Sequence, residues 1–462
     1  MYLTKRIYKY KLKEDTALFF NTISGAVDIM DKDSLELLNA ISAGKIPDNE
    51  NNPVIDALKE RKYLFDSEEE EKTFVQALYE KTRKQLLEQP LKVVICPTSE
   101  CNLQCTYCFQ NRSATINREA GFITGEQIES IFKNLGALKK QTGAGQVHFV
   151  LFGGEPLLPG LEERIDQILS GASALKSKVT VISNAVNLES HYAKILTKYK
   201  NVISEIQVTI DGLKEIHDTR RIRKDGSGSF DTIVKSIDFL IRENIGVNLR
   251  VNVDKENISS IDKLVYFIEE KRWLTRKHFS SYLSPVTDHK CTELRNVLSE
   301  YEILKQVQNF FKGEDLYMKK FVVAGFRSLG HIASVIEPDT INIDTAPLFQ
   351  YCEANNGRML YFCSDGLVYP CGEAVFESGM EVGSYHPELV IHPEKLQEWT
   401  GRSILTIDTC RDCPVATICG GGCAFTTFKR TKSFAGMVCN RTPEILTSYL
   451  DTMKDEIIRK FT

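Results

Sequence analysis

The chain begins with alternation: Tyr8, Tyr10 and Leu12 stand between Lys9, Lys11 and Lys13, the period-two pattern of a half-buried strand at a sheet edge. A turn at Ser24 and Gly25 precedes an apolar run over 26–30, and Leu35, Leu38 and Ile41 then share one face of a short helix. Val54, Leu58 and Arg61 keep helical spacing. Ser67, with Glu70 three residues on, reads as a capping box that opens a polar helix running to Pro90. From 91 to about 285 strand-like runs alternate with amphipathic helices. The strands read LKVVIC (91–96), VHFVLF (147–152), KVTVIS (178–183), EIQVTI (205–210), GVNLRVNV (246–253) and HFSSYL (278–283). Such alternation predicts βαβ units around a parallel sheet, and six units suit an open barrel better than a closed one of eight. Thr124 and Gln127 cap a helix packed outside that sheet through Ile128, Ile131, Phe132 and Leu135. The stretch 299–343 predicts helical bridging structure, a glycine-containing cysteine module follows over 352–439, and an amphipathic helix over 444–461 closes the chain.

Composition narrows the class. At 462 residues, 42% hydrophobic and 26% charged, the chain is an ordinary globular protein large enough for two or three domains. A net charge of -4 excludes the basic field that gathers nucleic acid. No run of about eighteen apolar residues and no signal-peptide core occurs, so neither a membrane span nor export is expected, and the expected location is the cytoplasm. Thirteen cysteines without a secretory signal point to metal ligation more than to disulfides. Apart from Cys291 they fall in two groups, 96–108 and 352–439. Cys96 and Cys291 read as small buried hydrophobes.

In CNLQCTYC, Cys101, Cys105 and Cys108 follow directly on the first strand of the parallel sheet, at the end where α/β sheets place their sites. Three thiolates on a four-iron four-sulfur cube leave one iron open to a cosubstrate. The competing reading, a zinc site, wants four ligands and paired C-x2-4-C spacing. This string resembles the CxxxCxxC signature of the radical SAM superfamily. The resemblance implies a [4Fe-4S] cluster that cleaves S-adenosylmethionine to a 5′-deoxyadenosyl radical. FGGEP at the end of the next strand supports it: Gly153 and Gly154 would let backbone approach a ligand, and Glu155 offers a carboxylate for the methionine amino group. By the same resemblance Ser183 and Thr209 occupy ribose-contact positions, and Tyr107 and Phe109 adenine-side positions. TIDGLKEIHDTRR further resembles the peptide-modifying branch of this superfamily through His217, Asp218 and Arg221, to which no catalytic role is assigned. The cluster Arg220, Arg221, Arg223 and Lys224 reads first as a solvated face and secondarily as an anion contact.

The C-terminal cysteines resemble the SPASM pattern of two auxiliary [4Fe-4S] clusters, making three in all. That pattern implies Cys352, Cys371 and Cys423 as ligands of the first, with Cys363 as a potential fourth, and Cys410, Cys413, Cys419 and Cys439 as ligands of the second. If Cys363 points away, an iron is left for a substrate cysteine. A zinc ribbon is the alternative. Relatives that mature sulfatases carry an acidic residue directly after the cysteine of the YPC string, where this chain has Gly372, with Glu373 one position later.

Residues 1–90 loosely resemble winged-helix-like precursor-recognition domains, in which a sheet edge could add a leader peptide as a strand. The expected organisation is therefore α/β in class: this recognition domain with its linker helix (1–90), a partial (β/α)6 TIM-like barrel (91–298), the helical bridge (299–343), and a SPASM module with a C-terminal helix (344–462). The expected function is maturation of a small ribosomal, cysteine-containing precursor peptide by thioether cross-linking, with a flavodoxin or ferredoxin as electron donor. Carbon–carbon cross-linking, epimerisation, decarboxylation and sulfatase maturation are alternatives within the chemistry, and a non-catalytic iron-sulfur sensor or peptide-binding protein is the alternative outside it.

Overall fold

The structure is a computed structural model that describes residues 1–45, 52–112, 120–291, 294–310, 326, 330, 332, 347–439 and 441–461. Strand β1 (Tyr2–Leu3) precedes an antiparallel sheet of β2 (Ile7–Lys13), β3 (Thr16–Asn21) and β4 (Val27–Met30). Alternation in β2 sends Tyr8, Tyr10 and Leu12 inward and leaves its lysines in water, as its sequence predicts. Strand β3 escaped that reading because both its faces are covered: Leu18 and Phe20 join the main core, and Phe19 packs with Ile55, Leu58 and Tyr63. A strand buried on both sides shows no alternation. The helices Lys32–Ser42 and Pro53–Glu60 follow, and β5 (Leu64–Phe65) pairs with β1. With Asn52 as N-cap and Pro53 opening the second helix, its buried pair is Ile55 and Leu58. Val54, expected on that face, is exposed. Ser67 accepts from Glu70 N and caps the helix Glu68–Glu88, although the Glu70 carboxylate reaches back to Asp66 N instead of closing the box on Ser67.

Six parallel strands then form the open barrel: β6 (Leu91–Cys96), β7 (Val147–Leu151), β8 (Val179–Ile182), β9 (Ile203–Thr209), β10 (Val247–Val253) and β11 (Phe279–Pro285). They lie side by side in chain order. The capping box at Thr124 and Gln127 is complete, and its helix Gly125–Thr142 buries Ile128, Ile131, Leu135 and Leu138. The helix Glu300–Phe310 opens the expected bridge, most of the rest of which lies outside the described residues.

The sheet does not stop at β6. Strand β12 (Met359–Cys363), from the cysteine module, pairs parallel with β6, and β13 (Leu367–Tyr369), β14 (Gly383–Ser384) and β15 (Val390–Ile391) extend it to ten strands. These short strands lie among turn residues and were not read from sequence. The helix Thr442–Phe461 returns to the N-terminal sheet, where Tyr8 Oη bonds Thr447 Oγ1 and Pro443 O, and Tyr10 Oη donates to Asp451 Oδ1 at 2.7 Å. Among the described residues no helix is long and apolar enough to cross a membrane.

Candidate functional site

A cavity of about 410 Å³ opens at the C-terminal ends of the barrel strands, where parallel sheets present their loops. Cys101, Cys105 and Cys108 line it, and so do all seven residues expected around the cosubstrate: Tyr107, Phe109, Gly153, Gly154, Glu155, Ser183 and Thr209. Burial pushes the Cys101 thiol up to about 12 and that of Cys105 up to about 11. Ionising these sulfurs therefore calls for a local positive charge, which a bound iron centre supplies. The chain also contributes donors. Leu103 N lies 3.4 Å and Asn184 Nδ2 3.6 Å from Cys101 Sγ.

The glycines of FGGEP work differently from expectation. A Cβ on Gly153 would lie 2.6 Å from Thr98 O, and one on Gly154 would overlap Glu100 O. Gly153 also has φ 130°, in the region that favours glycine. What approaches closely here is the cysteine loop's own backbone, which receives Gly154 N and Glu155 N at Thr98 O and Glu100 O. Glu155 is 1% exposed, and its Oε1 accepts from Leu157 N and Ser183 Oγ while Oε2 accepts from Asn184 N. Burial raises its pKa, against the pull of these bonds. Three of about four acceptor positions are taken, which leaves room for one more donor, at Oε2.

The cavity wall also holds a polar network. Tyr107 Oη donates to Asp211 Oδ2 and accepts from Arg221 Nη1 at 2.8 Å and from Asn252 Nδ2 at 3.0 Å. The basic cluster is thus not a solvated face. Arg220 is buried against Asp254 and Glu256 with its guanidinium over the Tyr107 ring, Arg221 lines the cavity with its Nε unpaired, and Arg223 bonds Thr232. Of the four only Lys224 is exposed. A run of like charges looks solvated until acids distant in sequence are folded onto it. His217 and Asp218 do structural work: His217 accepts from Asp211 N and bonds Ser229 Oγ, and Asp218 caps the helix Phe230–Arg242 through Ser229 N and Phe230 N.

The same cavity reaches Tyr361, Cys371, Gly372 and Glu373 of the C-terminal module, together with His289. Burial, reinforced by the neighbouring thiols of Cys423 and Cys352, pushes Cys371 well up. Cys410 likewise has Cys419 and Cys413 as neighbours, and Cys419 has Cys439. Cys423, hydrogen-bonded by His289 and Thr426, is brought down to about 7 although burial opposes it. Cys363 has a different neighbour. It sits opposite Cys96 in the β6–β12 register, bonds that thiol, and is 0% exposed among Val94, Val150, Tyr369, Val375 and Phe376. Glu373 Oε2 has no hydrogen-bond partner, and burial raises this carboxyl against the pull of His289, Lys290 and Arg250.

Three thiols at a cavity that also offers one carboxylate lone pair and one unpaired guanidinium nitrogen fit a thiolate-bound cluster carrying an amino-acid-like ligand. Among the described residues no three His, Cys, Asp or Glu side chains converge on a site for one ion.

Residues 95–268 match the model of the Radical SAM superfamily. The chain is 25% identical over 346 residues to the cysteine-type anaerobic sulfatase-maturating enzyme of Clostridium perfringens (strain 13 / Type A), covering 72% of this chain and 89% of that one. Its fold is similar to that of anSMEcpe solved with bound AdoMet, with a TM-score of 0.59, 21% identity and coverage of 80% of this chain and 98% of the other. SuiB of Streptococcus suis, solved with precursor peptide SuiA, is similar at a TM-score of 0.54 and 18% identity, over 94% of this chain and 98% of SuiB.

Proposed function

Because residues 95–268 match the Radical SAM superfamily model, we propose that this chain matures a small ribosomal, cysteine-containing precursor peptide by joining cysteine sulfur to carbon. Cys101, Cys105 and Cys108 hold the first [4Fe-4S] cluster, with S-adenosylmethionine in the adjoining cavity. The free lone pair of Glu155 takes its amino group and Arg221 its carboxylate, while Tyr107, Phe109, Ser183 and Thr209 face the nucleoside. Cys352, Cys371 and Cys423 hold one auxiliary cluster, and Cys410, Cys413, Cys419 and Cys439 the other. When bound, these groups supply the hydrogen-abstracting radical and a sink for the electron released as the carbon–sulfur bond forms. A flavodoxin or ferredoxin provides the reducing electron.

The thioether reading rests on Cys363. Bonded to Cys96 in an apolar cluster, it leaves Cys352, Cys371 and Cys423 as three protein thiols, and the cavity that contains Cys101 also contains Cys371. That arrangement supports a place for a substrate thiol beside the reacting carbon. The likeness of the fold to a structure solved with a precursor peptide supports a peptide substrate, and the N-terminal sheet offers edges to which a leader could add as a strand. Sulfatase maturation ranks lower. The carboxylate that resemblance leads one to expect directly after Cys371 is replaced by Gly372, where a Cβ would lie 2.9 Å from Tyr361 Oη.

The test is coexpression with a cysteine-containing small peptide encoded beside this chain, followed by mass spectrometry. The expected product has lost two hydrogens per cross-link and resists thiol alkylation. Unchanged mass with all thiols alkylated would refute cross-linking. A hydrogen loss with every thiol still alkylated would replace thioether formation by carbon–carbon cross-linking.

A further inference from the structure

The side chain of Tyr361 has no part in the assignments above, yet its position is unusual. It stands on β12 two residues before Cys363, lines the shared cavity, and packs edge-on against Phe152 with ring centroids 5.9 Å apart. Cys371, Cys96 and Cys352 are among its near neighbours. Its hydroxyl donates to a sulfur, Met359 Sδ, at 3.0 Å. A thioether is a weak acceptor, so this bond holds the O–H in place at little cost to releasing it. The hydroxyl also occupies the space beside Gly372: a Cβ built there would lie 2.9 Å from Tyr361 Oη and 3.2 Å from Cζ. Gly372 has no positive φ to account for its lack of a side chain. The glycine is therefore explained by the tyrosine, whose hydroxyl and ring edge fill that space, and the two residues together form a stretch of the cavity wall next to Cys371.

We propose that Tyr361 is a substrate-positioning residue, whose hydroxyl donates to the sulfur of the peptide cysteine held beside Cys371 against the cavity wall that Tyr361 and Gly372 form. The inference rests on the thioether reading. A thiolate accepts more strongly than the Met359 thioether because it is charged, so binding exchanges one sulfur acceptor for a better one. The hydroxyl would fix the direction of the sulfur lone pairs toward the carbon under attack while remaining chemically unchanged.

The experiment uses the reconstituted, reduced full chain and N-acetylcysteine methylamide as the thiol probe, titrated against the electron paramagnetic resonance signal of the auxiliary clusters. Tyr361→Phe, Gly372→Ala and the double variant are compared at matched iron content, which reports folding and cluster loading. Expected is a probe-dependent spectral change in wild type, weakened about tenfold (about 1.4 kcal/mol) in Tyr361→Phe and at least as much in Gly372→Ala. The double variant should be no weaker than Gly372→Ala alone, since the two residues pack against each other in one stretch of the cavity wall. Equal probe affinity in wild type and Tyr361→Phe would overturn the role of Tyr361 and leave the thioether reading standing. No spectral change in wild type would overturn both.

Discussion

Gly153, Gly154 and Cys363 illustrate how one residue's function depends on what folds against it. The spacing of Cys101, Cys105 and Cys108 was legible because all three lie on one loop, whereas the later cysteines are interleaved over 352–439 and were divided only by the family resemblance. That Cys363 turns to Cys96 was not legible, since it depends on β12 pairing with β6 across more than two hundred residues of sequence. Replacing Cys363 with Ala should therefore leave about twelve irons per reconstituted chain, whereas Cys371→Ala should lower the count toward eight. Equal losses from both variants would make Cys363 a ligand. Arg221 was also hidden, within a basic string that looked solvated. With its guanidinium on the cavity wall, Arg221→Gln should weaken S-adenosylmethionine binding about tenfold, or about 1.4 kcal/mol, by equilibrium dialysis. Arg221→Lys should recover part of that loss.

Elements were legible where a helix shows one dry face or where apolar runs recur between such helices. The six barrel strands and the helix at Thr124 emerged from the sequence to within a few residues, whereas β3, doubly covered and outside any such repeat, and the short β12 to β15 did not. What fastens the C-terminal module to the barrel is partly ionic. Lys290, which follows β11, and Lys429, on the helix Ala424–Thr431, both pair with Glu377, whose side chain is 4% exposed. Burial opposes the charge on Glu377, but the two lysines hold its pKa below the usual carboxylate value. Glu377→Gln leaves two ammonium groups without their partner and should cost about 3 to 5 kcal/mol in denaturant unfolding. The sign with pH follows. A depressed folded pKa gives a contribution fully present above the unfolded carboxylate value, about 4.3, and lost as pH falls through the lower folded value. Wild-type stability should thus drop more steeply than that of Glu377→Gln below about pH 4.3; parallel curves would assign the acid sensitivity elsewhere.

At the scale of the whole molecule, the sheet that begins as a barrel and continues into the cysteine module puts Cys101 and Cys371 on one cavity. The N-terminal sheet is held to the far end of the chain by Tyr8 and Tyr10, which bond the helix Thr442–Phe461. Tyr10→Phe removes one such bond to a carboxylate and should cost about 1.5 to 3 kcal/mol, read as a lower thermal midpoint together with faster proteolysis of residues 1–45. This long-range closure follows from tertiary contacts that no local pattern encodes. Everything chemical in the account depends on the cavity beside Cys101, Cys105 and Cys108 cleaving S-adenosylmethionine. The direct measurement is 5′-deoxyadenosine released by the reduced, reconstituted protein. Wild type should produce it, and a variant with all three of these cysteines changed to Ala should produce none while keeping about eight irons. A fully loaded wild-type protein that releases none would contradict the account.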